Sequence, residues 1–203
     1  MTTMAMRQII PLDPGDASDA VGAEDLPSLF QLVNSGVVWS ADEAVGVAAV
    51  IAPPTTLAQI SLYNNEPVST GKSYILLRVY GVITATPTGL SQVGIFHCVH
   101  RTSPSPTPTR DIPLTSITNM KALVPDYDGT AIIALAETVA DDLWKPVGYS
   151  NLNAVTGVGW QLDIWLDTLV IIPPGGMYSL AAVASSTTVS TRLGFTWVER
   201  KLG

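Results

Sequence analysis

From residue 29 onward the chain is cut into short apolar runs by clusters of Gly, Pro, Asn and Thr, and spacing of helical period is nearly absent. Runs of about four to eight residues between such breakers suit strands, whereas a helix needs about ten or more residues to bury a face. This pattern predicts an all-β protein. Candidate strands lie at 45–52, 58–64, 73–85, 92–100, 130–139, 159–167, 168–172, 178–185 and 191–199, with one more near residue 38. Helical readings are confined to 26–35, which stops at Asn34-Ser35-Gly36, and to 136–145. Neither is long enough to cover a sheet, so the strands must cover one another as a sandwich or a closed barrel.

Alternation sorts several strands into faces. Trp160, Leu162, Ile164 and Leu166 share one side, leaving Gln161, Asp163, Trp165 and Asp167 on the other, so Trp165 is an aromatic on a polar face. In the last strand Leu193, Phe195 and Trp197 form the expected core side, opposite Gly194, Thr196 and Val198. Between two strand readings stands Pro173-Pro174-Gly175-Gly176. The prolines end the hydrogen-bond ladder, and a glycine supplies the positive φ of a type II turn, so the motif reads as a corner without chemistry.

The length of 203 residues fits one domain, read as 29–203, preceded by an arm over 1–28 that carries Asp13, Asp16, Asp19, Glu24 and Asp25 among Pro, Gly, Ala and Ser. Ser/Thr-Pro alternation at 101–113 excludes a central strand there and reads as a loop. Hydrophobic residues make up 47% and charged residues 13% of the chain, which leaves apolar surface for a partner. The net charge is −7 and the basic residues are scattered singly, an arrangement unsuited to nucleic acid or an anionic membrane. No uninterrupted apolar run reaches the length of a spanning helix or a secretion signal, so the expectation is a soluble, unsecreted product. Cys98 is the only cysteine, which rules out an intrachain disulfide.

The motifs that touch on chemistry are fragments. Gly71-Lys72-Ser73 lacks the earlier glycine of a phosphate loop, since Glu66 stands there, and a strand follows where a helix is required. In His97-Cys98-Val99-His100, strand alternation lets only Cys98 and His100 share a face, with no further histidine to complete a metal site. Asp126-Tyr127-Asp128-Gly129-Thr130 resembles the start of a calcium loop, but residues 131–136 before Glu137 read as strand, so a tight turn is expected. Asp141 and Asp142 decorate a helix or loop. No catalytic, cofactor-binding or metal-binding residue is therefore assigned.

The segment "GWQLDIWLDTLVIIPPGGMYSLAAVASSTTVSTRLGFTWVER" resembles the closing strands of jelly-roll virion proteins from tailed bacteriophages. One strand ends in "IIPPGG", an Ala/Val/Ser-rich strand follows, a Ser/Thr loop turns, and a last strand ends in Trp-Val-Glu. Similar endings recur in trimeric capsid decoration (cement) proteins and in related head-fibre modules, which resemble the tumour-necrosis-factor-like jelly roll. The resemblance implies an antiparallel jelly-roll-like β-sandwich of about 8–10 strands. It also implies a homotrimer seated on major capsid protein subunits at the outer capsid surface of a virion, made in the host cytoplasm. It implies no catalytic residues. Two other expectations stand beside it. One is the glycan- or receptor-binding head of a phage fibre, using Trp165 and Tyr63 as aromatic platforms. The other is a hydrolase using His97 or His100 with a carboxylate.

Overall fold

In a computed structural model the chain is described over residues 28–55, 57–69, 71–86, 89–138, 143–152 and 161–201. One short helix, α1 (Ser28–Asn34), opens this part. It ends as its sequence predicts: Gly36 takes a φ of +72° and its N–H reaches the Val33 carbonyl, a left-handed cap that glycine adopts without a Cβ penalty. The strands follow as β1 (Val38–Asp42), β2 (Val47–Ala48), β3 (Ile60–Tyr63), β4 (Ser73–Ala85), β5 (Ser91–Val99), β6 (Thr118–Asn119), β7 (Ile132–Leu135), β8 (Lys145–Leu152), β9 (Gln161–Ile172), β10 (Met177–Ala184) and β11 (Ser190–Arg200).

They form two antiparallel sheets packed face to face. One has the order β6-β1-β11-β4-β9, with β2 pairing β11; the other has the order β7-β3-β10-β5-β8. The protein is an all-β sandwich, as expected. Apart from β2, β6 and β7 at the sheet margins, consecutive strands alternate between the sheets, except that β5 and β8 pair within one sheet.

Inward positions carry the core. Trp39, Trp197 and Leu76 occupy one row across the first sheet, and Phe195, Val79 and Leu193 continue it. Ile60, Leu62, Ile95, Tyr178 and Leu180 face them from the second sheet. Burying side chains of this size yields about 1.5 to 3 kcal/mol each, which is why the period-2 pattern sets the register. Along β9, Leu162, Ile164 and Leu166 point to this core while Trp165 stands half exposed, as alternation requires. In β11 the expected inner side is fully buried, but Thr196 and Val198 on the other side are buried too.

Several boundaries differ from the sequence reading, each for a local reason. The segment at 45–52 shrinks to β2 plus a bridge from Val50 to Val183, because the chain leaves β11 of one sheet for β10 of the other along this stretch. The two readings at 159–167 and 168–172 are one strand. Leu76 pairs Val170 and Arg78 pairs Trp165, so residues 166–169 stand opposite the single Leu77 in a bulge. The helical reading of 136–145 fails at its described ends: Thr138 bridges Leu57, and Lys145 opens β8. Residues 139–142 lie outside the described residues.

Strand β8 itself escapes sequence reading because Pro146 and Gly148 look like breakers. Proline is tolerated because β8 is an edge strand with a register shift at Pro146. Gly148 is required because a Cβ there would lie 2.6 Å from Ile164 Cδ1, where the β8 and β9 edges of the two sheets meet. The expected arm at 1–28 lies outside the described residues apart from Ser28, and so does Trp160.

The Pro-Pro-Gly-Gly corner forms as a type II turn: Gly175 has φ +79° and the Gly176 N–H donates to the Pro173 carbonyl. Asn64, fully buried, fastens it. Its backbone exchanges hydrogen bonds with Gly175 and Gly176, and its Nδ2 donates to the Ile172 and Lys72 carbonyls. Gly175→Ala should therefore destabilise the protein by about 1 to 2 kcal/mol in urea unfolding, with Gly175→Asn retaining part of that loss, because Asn tolerates the left-handed region better.

Candidate functional site

The motifs singled out in the sequence resolve into structural positions. Gly71 sits in a turn where its N–H donates to the Pro67 carbonyl and a Cβ would lie 2.4 Å from Glu66 Cβ; Lys72 pairs with Glu199 at 3.4 Å. Asp126 and Asp128 point to solvent while Tyr127 between them is buried, and Gly129 is needed because a Cβ would strike the Tyr127 ring. Tyr127 donates a short hydrogen bond to Glu199 Oε1, an oxygen that also accepts from Trp197 Nε1. This is a folding turn with its tyrosine plugged into the core. Among the described residues no group of three or more His, Cys, Asp or Glu side chains is placed to hold a metal ion. Asp141 and Asp142 lie outside the described residues.

The His97–His100 segment splits as alternation demands. His97 is half buried, with Nδ1 3.0 Å from the Tyr178 hydroxyl, and burial with Lys145 nearby lowers its pKa below the ordinary imidazole value. Cys98 faces the opposite side, buried with Ala58 and packed against Trp144. His100 is buried with Nε2 2.8 Å from Ser179 Oγ, which lies 2.7 Å from Ser61 Oγ. Ser179 is fully buried, so a substrate carbonyl has no approach to its hydroxyl in this arrangement. The chain of hydroxyls and imidazole satisfies polar groups that the sheet buries.

Tyr63 corrects one expectation. It is buried with Ile132, Ala134 and Met177, and so offers no aromatic platform. Trp165 does stand half exposed.

Two features were not read from the sequence. The first is an apolar groove of about 230 Å³ where the chain crosses between sheets, lined by Val47, Val50, Leu57, Leu135, Ala181 and Ala182 among others. Val47, Val50 and Leu57 are exposed there, and Val45 and Ile51 next to them in the chain are as well. The apolar run at 45–52 is the available signal; it reads as a strand, and the crossover leaves most of its large side chains on the surface.

The second feature is Glu43, just past β1 and almost fully buried. Its Oε2 accepts from the Leu193 N–H and from Gln59 Nε2, both at 2.9 Å, while Oε1 has no hydrogen-bond partner. Gln59 also donates to Thr191 and accepts from the Ala182 N–H, so Glu43 and Gln59 tie the two sheets together at this end. Burial raises the Glu43 pKa to about 7, opposed by the Leu193 and Gln59 hydrogen bonds. Asp42 adds to the rise and Arg192 opposes it. No protein-family model matches the chain, and no curated protein does either.

A carboxyl whose pKa is raised on folding favours the native state fully below its unfolded value of 4.5, and that contribution is lost as pH climbs through about 7. The thermal midpoint of the native protein should accordingly fall between pH 5 and pH 8. Glu43→Gln should flatten that fall by the equivalent of about 2 to 3 kcal/mol, measured by calorimetry across the range.

Proposed function

We propose that this chain is a non-enzymatic structural protein of a virion, a capsid decoration protein that binds the outer capsid surface as a homotrimer and stabilises the shell. The observation that carries the reading is the exposed apolar surface around the 45–57 crossover and its groove, on a chain with few charges. Large exposed apolar patches on soluble proteins commonly mark interaction surfaces. The strand order supports a jelly roll. Setting aside the two-residue β2 and β6 and the edge strand β7, the order is β1-β11-β4-β9 in one sheet and β3-β10-β5-β8 in the other, an order that two successive Greek keys generate.

In this reading the partners are two further copies of the chain and the major capsid protein subunits. Three modest contacts presented by one trimer to a three-fold site on the shell act together, because after the first engages the others bind at high effective concentration. The net charge of −7 suits the outside of a shell better than its DNA-filled interior, and neither nucleic acid nor membrane is a partner. The protein would be made in the host cytoplasm and reside on the virion.

Light scattering of the purified protein should return the mass of three chains, and the protein should rebind capsids stripped of their decoration. A strictly monomeric protein indifferent to capsids sinks the proposal. Leu57→Asp, which places a charge in the groove while leaving the core intact, should weaken trimer formation or capsid rebinding by about tenfold or more without lowering the thermal midpoint.

A further inference from the structure

On the outer face of the first sheet, Arg78 and Tyr80 of β4 stand directly opposite Trp165 and Asp163 of β9. The block is interlocked. Arg78 Nη2 donates to Asp163 Oδ2 at 2.8 Å, and Arg78 Nε makes a second, shorter bond to Oδ1, so the pair is a two-point fork. The same guanidinium lies 4.9 Å from the centre of the Tyr80 ring and 5.8 Å from that of Trp165. Tyr80 is fixed in turn. Its ring covers Gly194, where a Cβ would come within 2.5 Å, and its hydroxyl lies 3.0 Å from Ser40 Oγ.

Trp165 is 51% exposed, with a braced cation at its side. The Asp163 side chain keeps 42% of its surface in solvent and the Arg78 side chain 25%, so hydrogen-bonding capacity remains open around the ring. The β9 bulge begins at the very next residue, and bulges of this kind re-aim the side chains beside them. Among the described residues β9 is also the last strand of its sheet.

We propose that Trp165, Arg78 and Asp163 form a binding site for a neutral hexopyranose unit of a polysaccharide. The apolar C–H face of the sugar stacks on the indole, and its hydroxyls bond the outward oxygens of Asp163 and the remaining N–H groups of Arg78. Charge selects the class. Arg78 is balanced by Asp163, and the neighbouring Arg192 by Asp42, so the two arginines described beside the ring are already paired, which favours a neutral sugar over a uronate or sialate. Chemistry also favours a sugar over a protein partner: a protein would have to strip water from both ion pairs, a cost that its contacts must offset, whereas sugar hydroxyls replace that water bond for bond. The fixed side chains mean that little order has to be created on binding.

The site is independent of the capsid reading, since neither the groove nor the trimer enters the argument. The test is affinity electrophoresis of the full chain through gels holding mannan, galactan or dextran, with an array of neutral and acidic oligosaccharides beside it. At least one neutral glycan should bind. Trp165→Ala should weaken that binding by about tenfold or more with the thermal midpoint unchanged, and Trp165→Phe should retain part of it. The proposal is overturned if no neutral glycan binds, if only acidic glycans bind, or if Trp165→Ala leaves binding unchanged. It is equally overturned if Trp165→Ala changes the oligomeric mass, which would assign this face to a protein contact.

Discussion

The fold depends on β11. It lies between β1 and β4 in the first sheet and also carries the short β2, so its backbone hydrogen bonds join elements that begin more than a hundred residues upstream. Its inward side chains, Leu193, Phe195 and Trp197, fill the centre of the sandwich without exposure. Its outer side is closed as well: Tyr80 lies over Gly194, and Ser40 approaches Thr196 at 3.3 Å. A strand buried on both faces leaves no room for a slip in register, because a shift of one residue would exchange Trp197 for Thr196 at the core. The pairing of Arg78 with Trp165 one strand further out inherits its position from this constraint.

A chain with so few charges still buries several polar groups, and their placement follows one logic. Asn64 satisfies the carbonyls where a strand is cut by prolines, Glu199 collects a tyrosine, a tryptophan and a lysine at one end, and Glu43 with Gln59 spans the sheets at the other. Each stands near the end of a ladder, where Asn64, Glu43 and Gln59 pair backbone groups that would otherwise be left unsatisfied and Glu199 gathers buried side-chain donors. Glu43 is the costly member, since one of its oxygens is buried without a partner and burial favours its neutral form.

What could be read from the sequence was whatever local pattern decides. Alternation in β9 and β11 placed the core, the Asn34-Ser35-Gly36 stop ended α1, and Pro-Pro-Gly-Gly specified a turn type that the chain adopts. What escaped depends on partners. Pro146 and Gly148 look like breakers until β8 is known to be an edge strand with a neighbour pressing on it. The exposed Trp165 was visible as an aromatic on a polar face, but Arg78, Tyr80 and Asp163 join it only through a cross-strand register that a bulge shifts. Tyr63 misled because its strand, like β11, is covered on both sides. Glu43 gave no signal at all, since nothing local distinguishes it from the adjacent Asp42 as the acid that is buried.

The central place of β11 has a consequence in time as well as in space. During synthesis β1 and β4 leave the ribosome long before the strand that must lie between them. Until it arrives, each presents an open ladder edge and an apolar face to whatever is nearby, and a neighbouring chain at the same stage carries the identical edges. Completion of the first sheet waits on closing a loop of more than a hundred residues, a slow event compared with forming a hairpin. The interval before that closure is when two nascent copies are most able to pair wrongly, because both hold the same unpaired edges.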